Sequence, residues 1–302
     1  MNWQDFLAAP VAEVAQVAPR SLVYTMGGTR RSAALAGIAP ESDEYIRWTR
    51  ERLVASLDLL FRYGVEHVFV AAITPDNYQE TGAYRERLLG FTDWALAGAE
   101  ALADYGRYGW RVRLLGSEHI PELAATAERL RQETPTHSPH TLWGLAVPHP
   151  DAPWQTIIDA VQHSGATTRE ALIQAIYGED IPPITLFLST GKLMFSQNLL
   201  PPLLTGKVQC YWRQQPGHTL SEQEWREILY DYAYTRATWK ADKEGRAEAA
   251  LAYRGVWETA PTIGLGQRLG PFWYPTSIAE PPARSDLTNF GNLSNLASTH
   301  RS

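Results

Sequence analysis

Residues 21–31 read SLVYTMGGTRR: a short apolar run, two glycines, then a threonine and two arginines. Ser21–Met26 has the apolar character of a strand buried on both faces. In an open α/β sheet, ligands bind beyond the carboxyl ends of such strands. Gly27 and Gly28 let the backbone come close to a ligand and free N–H groups for an anion. Arg30 and Arg31 add charge-assisted, bidentate contacts suited to phosphate. The same residues also fit a tight turn with two solvated arginines, and spacing alone leaves both readings open.

Outward from this stretch, strands and helices alternate. Ser42–Tyr63 reads as a helix: Asp43 and Glu44 charge its first turn, Leu53, Leu57, Leu60 and Phe61 recur at helical spacing, and Gly64 stops it. Val65–Ile73 is a second strand, closed by the turn Thr74-Pro75-Asp76-Asn77. A helix over Ala83–Asp104, a strand over Trp110–Leu115, a helix over Pro121–Gln132 and a strand over Thr141–Val147 follow. Helices are expected at Trp154–His163 and Thr168–Ile176, strands at Ile184–Leu188 and Val208–Trp212, and a last helix at Ser221–Arg236. Ser221 and Glu224 form its capping box. The pattern predicts an α/β fold, a mostly parallel six-stranded sheet flanked by helices. Residues 1–275 are expected to form a single catalytic domain. Residues 276–302, rich in Ser, Asn, Pro and Thr, are expected to be an irregular or disordered tail.

Composition narrows the function. The 302 residues carry a net charge of -6, which argues against nucleic acid as a partner. Cys210 is the sole cysteine, so an internal disulfide is excluded and a reducing cytoplasmic compartment is expected. The opening MNWQDFLAAP lacks a basic region followed by an apolar core, and no apolar window is long enough to span a bilayer. A membrane-derived substrate would therefore be taken up by a soluble protein. The 11 Trp and 14 Tyr fit core packing, or an aromatic-lined cavity whose ring faces stabilise cations.

Other candidate sites are less pointed. Asp76 and Asn77 follow the second strand and suit binding or proton handling. Gly264–Gly270 is glycine-rich but neither follows a clear strand nor opens a helix, which argues against a dinucleotide site. His137, His140 and His149 do not match a helical metal pair, and Asp231 reads as structural.

TMGGTRRSA (residues 25–33) resembles the first-loop motif Met-Asp-Gly-Asn-x-Arg-Trp-Ala of (Z)-prenyl synthases. It is closer still to Asp-Gly-Thr-Arg-Arg-Trp of a divergent branch, the bacterial diterpene synthases of the tuberculosinol and kolavelool type. Asp43-Glu44-Tyr45, Leu59–Gly64, Gly82-Ala83-Tyr84, Ile176–Glu179, Leu200 to Lys207 and Ile228–Tyr232 are similar to the same branch. Pro75–Tyr78 is similar to the family's Ser-x-Glu-Asn-Trp loop, and Ser189–Lys192 with Phe195–Leu200 to its Arg-Thr-Gly-Gly-Glu…Ser-Asn-Phe-Leu region. The matches run in order from about residue 21 to about residue 236.

The resemblance implies a homodimer of the undecaprenyl-diphosphate-synthase-like fold that acts on a prenyl diphosphate. It also exposes departures. Gly27 stands where the family carries its metal-binding Asp, Lys192 where it carries its late Glu, and Leu188 where it carries an Arg. Loss of two carboxylates removes protein ligands for a hard cation, so no protein metal site is expected, and Mg²⁺ would enter through the substrate diphosphate. The implied reaction is ionisation of a bicyclic C20 diphosphate of kolavenyl type and quenching by water to an alcohol. Gly27, Gly28, Thr29, Arg30, Arg31 and Lys192 are the expected diphosphate contacts. Tyr45 and Tyr84, with Arg30, are the expected catalytic residues, and Met26, Asp76, Asn77 and Ser196 line the pocket. The alternatives are a (Z)-prenyltransferase that condenses isopentenyl diphosphate and a non-catalytic partner subunit of one.

Overall fold

The computed structural model describes residues 1–79, 81, 83–238, 242, 244–260 and 262–275, the side chains of 83–85 and 87 excepted. The chain forms two compact units: Met1–Thr190 with Met194–Ala237, and Gly191–Leu193 with the chain from Thr238 onward. The 276–302 tail lies outside the described residues.

In the larger unit, helix α1 (Trp3–Ala8) precedes strand β1 (Ser21–Thr25), helix α2 (Thr29–Leu35) and the long helix α3 (Asp43–Arg62). Then come β2 (His67–Ile73), α4 (Ala83–Ala97), α5 (Ala99–Tyr108), β3 (Arg111–Leu115), α6 (Ala124–Glu133) and β4 (Thr141–Ala146). The unit closes with α7 (Ala152–Ser164), α8 (Arg169–Tyr177), β5 (Ile184–Thr190), β6 (Thr205–Arg213) and α9 (Glu222–Tyr230). The six strands pair in the order β3-β4-β2-β1-β5-β6, every pair parallel.

Side-chain alternation along the central strands builds a core on each face of the sheet. Leu22 and Tyr24 of β1 join Val68, Leu142 and Leu186 on the face covered by Leu57, Leu60 and Trp225. Val23 joins Phe69, Trp143 and Phe187 on the other face, against Ile173, Tyr177 and Ile181. There Phe69 and Trp143 stack at 5.8 Å, with the Tyr177 ring edge-on to Trp143 at 5.6 Å. Trp110, Trp143 and Trp225 are all fully buried, so part of the aromatic surplus is core.

Several elements differ from the sequence expectation. The helix expected over Ala83–Asp104 breaks at Gly98, whose extended backbone (ψ 162°) starts a new helix. A Cβ there would lie 2.5 Å from the Trp94 carbonyl oxygen, so the sharp break needs glycine. The helix expected over Ser221–Arg236 ends at Tyr230 and passes into a π-helical turn, Asp231–Thr235. Tyr211 Oη donates to Asp231 Oδ2 at 2.8 Å there, and the Tyr232 hydroxyl pairs with Thr185 Oγ1 at 2.7 Å; both tie this turn to the sheet. Helix α2 lies where a loop was expected, and β6 starts three residues early, at Thr205. Pro121–Leu123 is a 3₁₀ turn ahead of α6.

In the smaller unit, helices α10 (Arg246–Ala252) and α11 (Arg254–Thr259) precede an antiparallel hairpin, β7 (Gly266–Leu269) with β8 (Phe272–Pro275). The glycine-rich stretch 264–270 thus enters a hairpin. Among the described residues no helix is long and apolar enough to cross a membrane.

Candidate functional site

From β1 the chain fills one side of the sheet, where β2, β4 and β3 lie in that spatial order, then returns to place β5 and β6 on the other side. The switch point lies at the carboxyl ends of β1 and β5, where doubly wound sheets bind ligands. Thr25 Oγ1, at the end of β1, donates to Ser189 Oγ of β5 at 3.0 Å. Thr190 Oγ1 donates to the Gly27 carbonyl at 2.9 Å, and Gly217 N donates to the same oxygen at 2.9 Å. The Gly27 carbonyl is therefore held inward by two donors. In a trans peptide the N–H points opposite to the carbonyl, so the Gly28 N–H faces away from both.

Gly28 sits at φ +76°, and a Cβ there would fall 2.6 Å from Arg31 Nη2 and 2.8 Å from Pro216 Cβ. Only glycine satisfies both the left-handed backbone and the close approach. The contact also locates the Arg31 guanidinium against the loop. Arg31 is half-buried and Arg30 is exposed, both in the first turn of α2.

Ser42 caps α3 by accepting from Tyr45 N at 3.2 Å, which fixes Tyr45 in the first turn. The half-buried Tyr45 hydroxyl lies 2.8 Å from Thr29 Oγ1, the hydroxyl that opens α2. Two residues singled out separately in the sequence thus share one hydrogen bond at the lip of the glycine loop. Either oxygen can donate, leaving the other to accept from or donate to a third group.

The remaining expected residues are more dispersed. Met26 is buried at the end of β1. Asp76 is exposed in the helical turn Pro75–Tyr78 after β2, and Asn77 Oδ1 accepts from Thr74 Oγ1 at 2.8 Å inside that turn. Ser196 caps the turn Gln197–Leu199 after β5. Tyr84 lies in the first turn of α4, but its side chain is outside the described residues. Lys192 is exposed and belongs to the smaller unit.

The segment after β6 forms a wall of the loop that the sequence reading did not include. Arg213, at the end of β6, is buried and holds Glu224 through Nη2 at 2.8 and 2.9 Å and the Thr219 carbonyl at 3.0 Å. Burial opposes the Glu224 charge, but hydrogen bonds from Ser221 and Arg213 hold its carboxyl below the usual range. Between these anchors, His218 sits beside Tyr24, ring centres 5.7 Å apart, and its Nδ1 is closed off from water. Burial pushes the His218 imidazole down to about 4 and the Tyr24 phenol well up. The dipeptide Pro216-Gly217 directly after a strand was the available signal.

Gly27 offers no side chain where the family carries a carboxylate, and Thr190 Oγ1 donates to the Gly27 carbonyl. Among the described residues no group of three His, Cys, Asp or Glu side chains is arranged to hold a metal ion. His140 Nδ1 lies 3.0 Å from the Val65 carbonyl, a packing role.

No protein-family model matches the chain. A (+)-kolavelool synthase from Herpetosiphon aurantiacus is 47% identical over 276 residues, 91% of this chain and 96% of the relative. The tuberculosinyl adenosine transferase of Mycobacterium tuberculosis is 26% identical over 249 residues, 77% of this chain and 83% of that one. Among solved structures, lavandulyl diphosphate synthase from Lavandula x intermedia superposes with a TM-score of 0.57 at 12% identity, over 72% of this chain and 97% of its own. A probable undecaprenyl diphosphate synthase from Campylobacter jejuni gives 0.54 at 16% identity, with the same coverage of 72% and 97%. The structural matches establish the sheet architecture, and the near-complete 47% match establishes the lineage. The chain belongs to the family of (+)-kolavelool synthase, terpene synthases built on the (Z)-prenyl synthase fold.

Proposed function

We propose that the chain ionises a bicyclic C20 prenyl diphosphate of kolavenyl type and quenches the cation with water, giving a diterpene alcohol and inorganic pyrophosphate. The observation that carries the reading is the 47% identity to (+)-kolavelool synthase along nearly the whole of both chains. The carbon–oxygen bond to the diphosphate breaks heterolytically, and the electron pair leaves with the pyrophosphate. A water oxygen then bonds to the cation and gives up one proton. Arg30, Arg31 and the Gly27–Thr29 backbone stabilise the charge that develops on the leaving group, the largest contribution such a site makes. The Tyr45 ring offers its face to the cation, and its hydroxyl, paired with Thr29, orients the water and passes on its proton. Tyr84 is assigned the same kind of role, and Met26, Asp76, Asn77 and Ser196 shape the pocket. Mg²⁺ would enter with the substrate diphosphate, because Gly27 and Lys192 stand where the family carries carboxylates. The enzyme works in the cytoplasm as a homodimer.

The test is a turnover in water enriched in heavy oxygen, with mass spectrometry of the product. An alcohol carrying the heavy oxygen, formed one-to-one with pyrophosphate, is expected. An alcohol without the label, or a product joined to a nucleoside, refutes the water quench. Arg30→Ala is expected to keep its circular dichroism spectrum and lose most activity; full activity in that variant overturns the site assignment.

A further inference from the structure

We propose that the loop between β6 and α9, through Gly217, is the positioning element of the diphosphate loop. This rests on the proposed assignment of residues 27–31 to the diphosphate, and adds a residue far along the chain on which their geometry depends.

Three observations converge on Gly217. Its N–H is one of the two donors that turn the Gly27 carbonyl inward, at 2.9 Å. Its own φ is +77°, and a Cβ there would lie 2.7 Å from Ser32 Cβ and 2.9 Å from Ser32 Oγ on α2. Its neighbour Pro216 packs so closely on Gly28 that a Cβ on Gly28 would meet Pro216 Cβ at 2.8 Å. The loop thus touches residue 27 by a hydrogen bond, residue 28 by packing, and the helix bearing Arg30 and Arg31 by packing against Ser32. It cannot drift, because Arg213 and Glu224 clamp its base and the Thr219 carbonyl accepts from the same guanidinium.

The consequence is directional. A side chain at position 217 must push against Ser32, whose backbone N–H closes the first turn of α2 onto the Gly28 carbonyl, or lift the loop away from Gly27. Either movement rotates the 27–28 peptide and shifts the arginines that follow it. Displacements of about 1 Å at such a site can cost a hundredfold in rate. Gly217 touches no reacting atom in this account; it acts through Gly27, Gly28 and α2.

The experiment compares Gly217→Ala with Gly165→Ala in the full chain. Gly165 ends α7 at φ +65° with nothing within 4 Å of an added Cβ, so it carries the same backbone strain without a steric contact. Inorganic pyrophosphate, as product inhibitor, is the probe, read beside kcat, KM and the melting temperature. Gly217→Ala is expected to weaken pyrophosphate inhibition about tenfold, the scale of one lost charge-assisted contact. Gly165→Ala is expected to lower the melting temperature and leave the inhibition constant unchanged. Adding Ser32→Gly to Gly217→Ala removes the clashing atoms and is expected to recover part of the inhibition. Should Gly217→Ala not fold, Pro216→Gly, which removes the ring over Gly28 and frees the backbone at 216, is expected to show the same weakening. Pyrophosphate inhibition unchanged in both 217 and 216 variants, or weakened equally in Gly165→Ala, overturns the proposal. An Arg30→Ala variant measured alongside separates the two claims: if it retains full activity the diphosphate assignment itself has failed, whereas an inactive Arg30→Ala beside an unaffected Gly217→Ala sinks only the positioning role.

Discussion

The enclosed position of His218 is expected to make the fold acid-sensitive in a window above the carboxylates. Its imidazole is pushed down to about 4 by burial beside Tyr24, against an ordinary value of 6.5. A depressed base binds fewer protons folded than unfolded, so stability rises with pH between the two values. The contribution is fully present above about 6.5 and is lost as pH falls toward 4. Two and a half pH units at 1.36 kcal/mol each bound the effect at about 3 kcal/mol, and between pH 8 and pH 5 it amounts to about 2 kcal/mol. The assay is urea unfolding at those two pH values, in the wild type and in His218→Gln, which cannot titrate there. The wild type is expected to lose about 2 kcal/mol more than the variant over that interval. Glu66, Glu222 and Glu224 are held below the usual carboxylate range, so their losses fall at lower pH and occur equally in both proteins. Identical pH dependence in the two proteins would show that the ring is protonated in the folded state at its ordinary pKa, and the argument from burial would be wrong.

Other consequences follow from single contacts. Tyr45→Phe removes the 2.8 Å bond to Thr29 but keeps the ring, so activity is expected to fall by about tenfold to a hundredfold with the melting temperature nearly unchanged; wild-type kcat would exclude the hydroxyl from the reaction. Gly28→Ala places a methyl group against Pro216 and Arg31 at a left-handed backbone, and is expected to cost about 1–3 kcal/mol of stability in chemical denaturation together with most activity. Gly27→Asp, by contrast, is expected to fold normally, because its Cβ meets only Thr190 Oγ1 at 3.7 Å; a large loss of melting temperature would contradict that space. Asp104→Asn removes the charge of the nearer of two carboxylates on the buried Arg50 guanidinium, leaving Glu100 at 3.7 Å, and is expected to destabilise by about 1–3 kcal/mol in urea.

The sheet was readable because its strands are buried on both faces. SLVYT and TLWGLA are nearly unbroken apolar runs, and burial along β1 and β4 is complete. The elements that escaped are those whose pattern is weaker than their tertiary support. Thr205-Gly206-Lys207 begin an edge strand with exposed polar residues, so nothing in their sequence alternates. TRRSAAL forms α2 without an apolar period, because only Ser32 and Ala33 face inward. Gly98 sits inside a long helical pattern, and its break depends on contact with Trp94 that spacing does not reveal. At the candidate site, Gly27 to Arg31 and Tyr45 were legible only as residue types at a strand end and a helix start. The Thr29–Tyr45 bond was not, since it depends on how α2 packs on α3, and the Gly217 contact was not, since only the sheet order brings residue 217 to residue 27.

The most direct test of the central claim is a product assay by gas chromatography–mass spectrometry. Purified protein is incubated separately with linear geranylgeranyl diphosphate, with halimane- and clerodane-type bicyclic C20 diphosphates, and with isopentenyl diphosphate plus a primer. Each incubation is run with and without Mg²⁺. A C20 alcohol from a bicyclic substrate alone is the predicted result. Elongated diphosphates, or no turnover of any bicyclic substrate, would contradict the account and point to chain elongation or to a partner-subunit role.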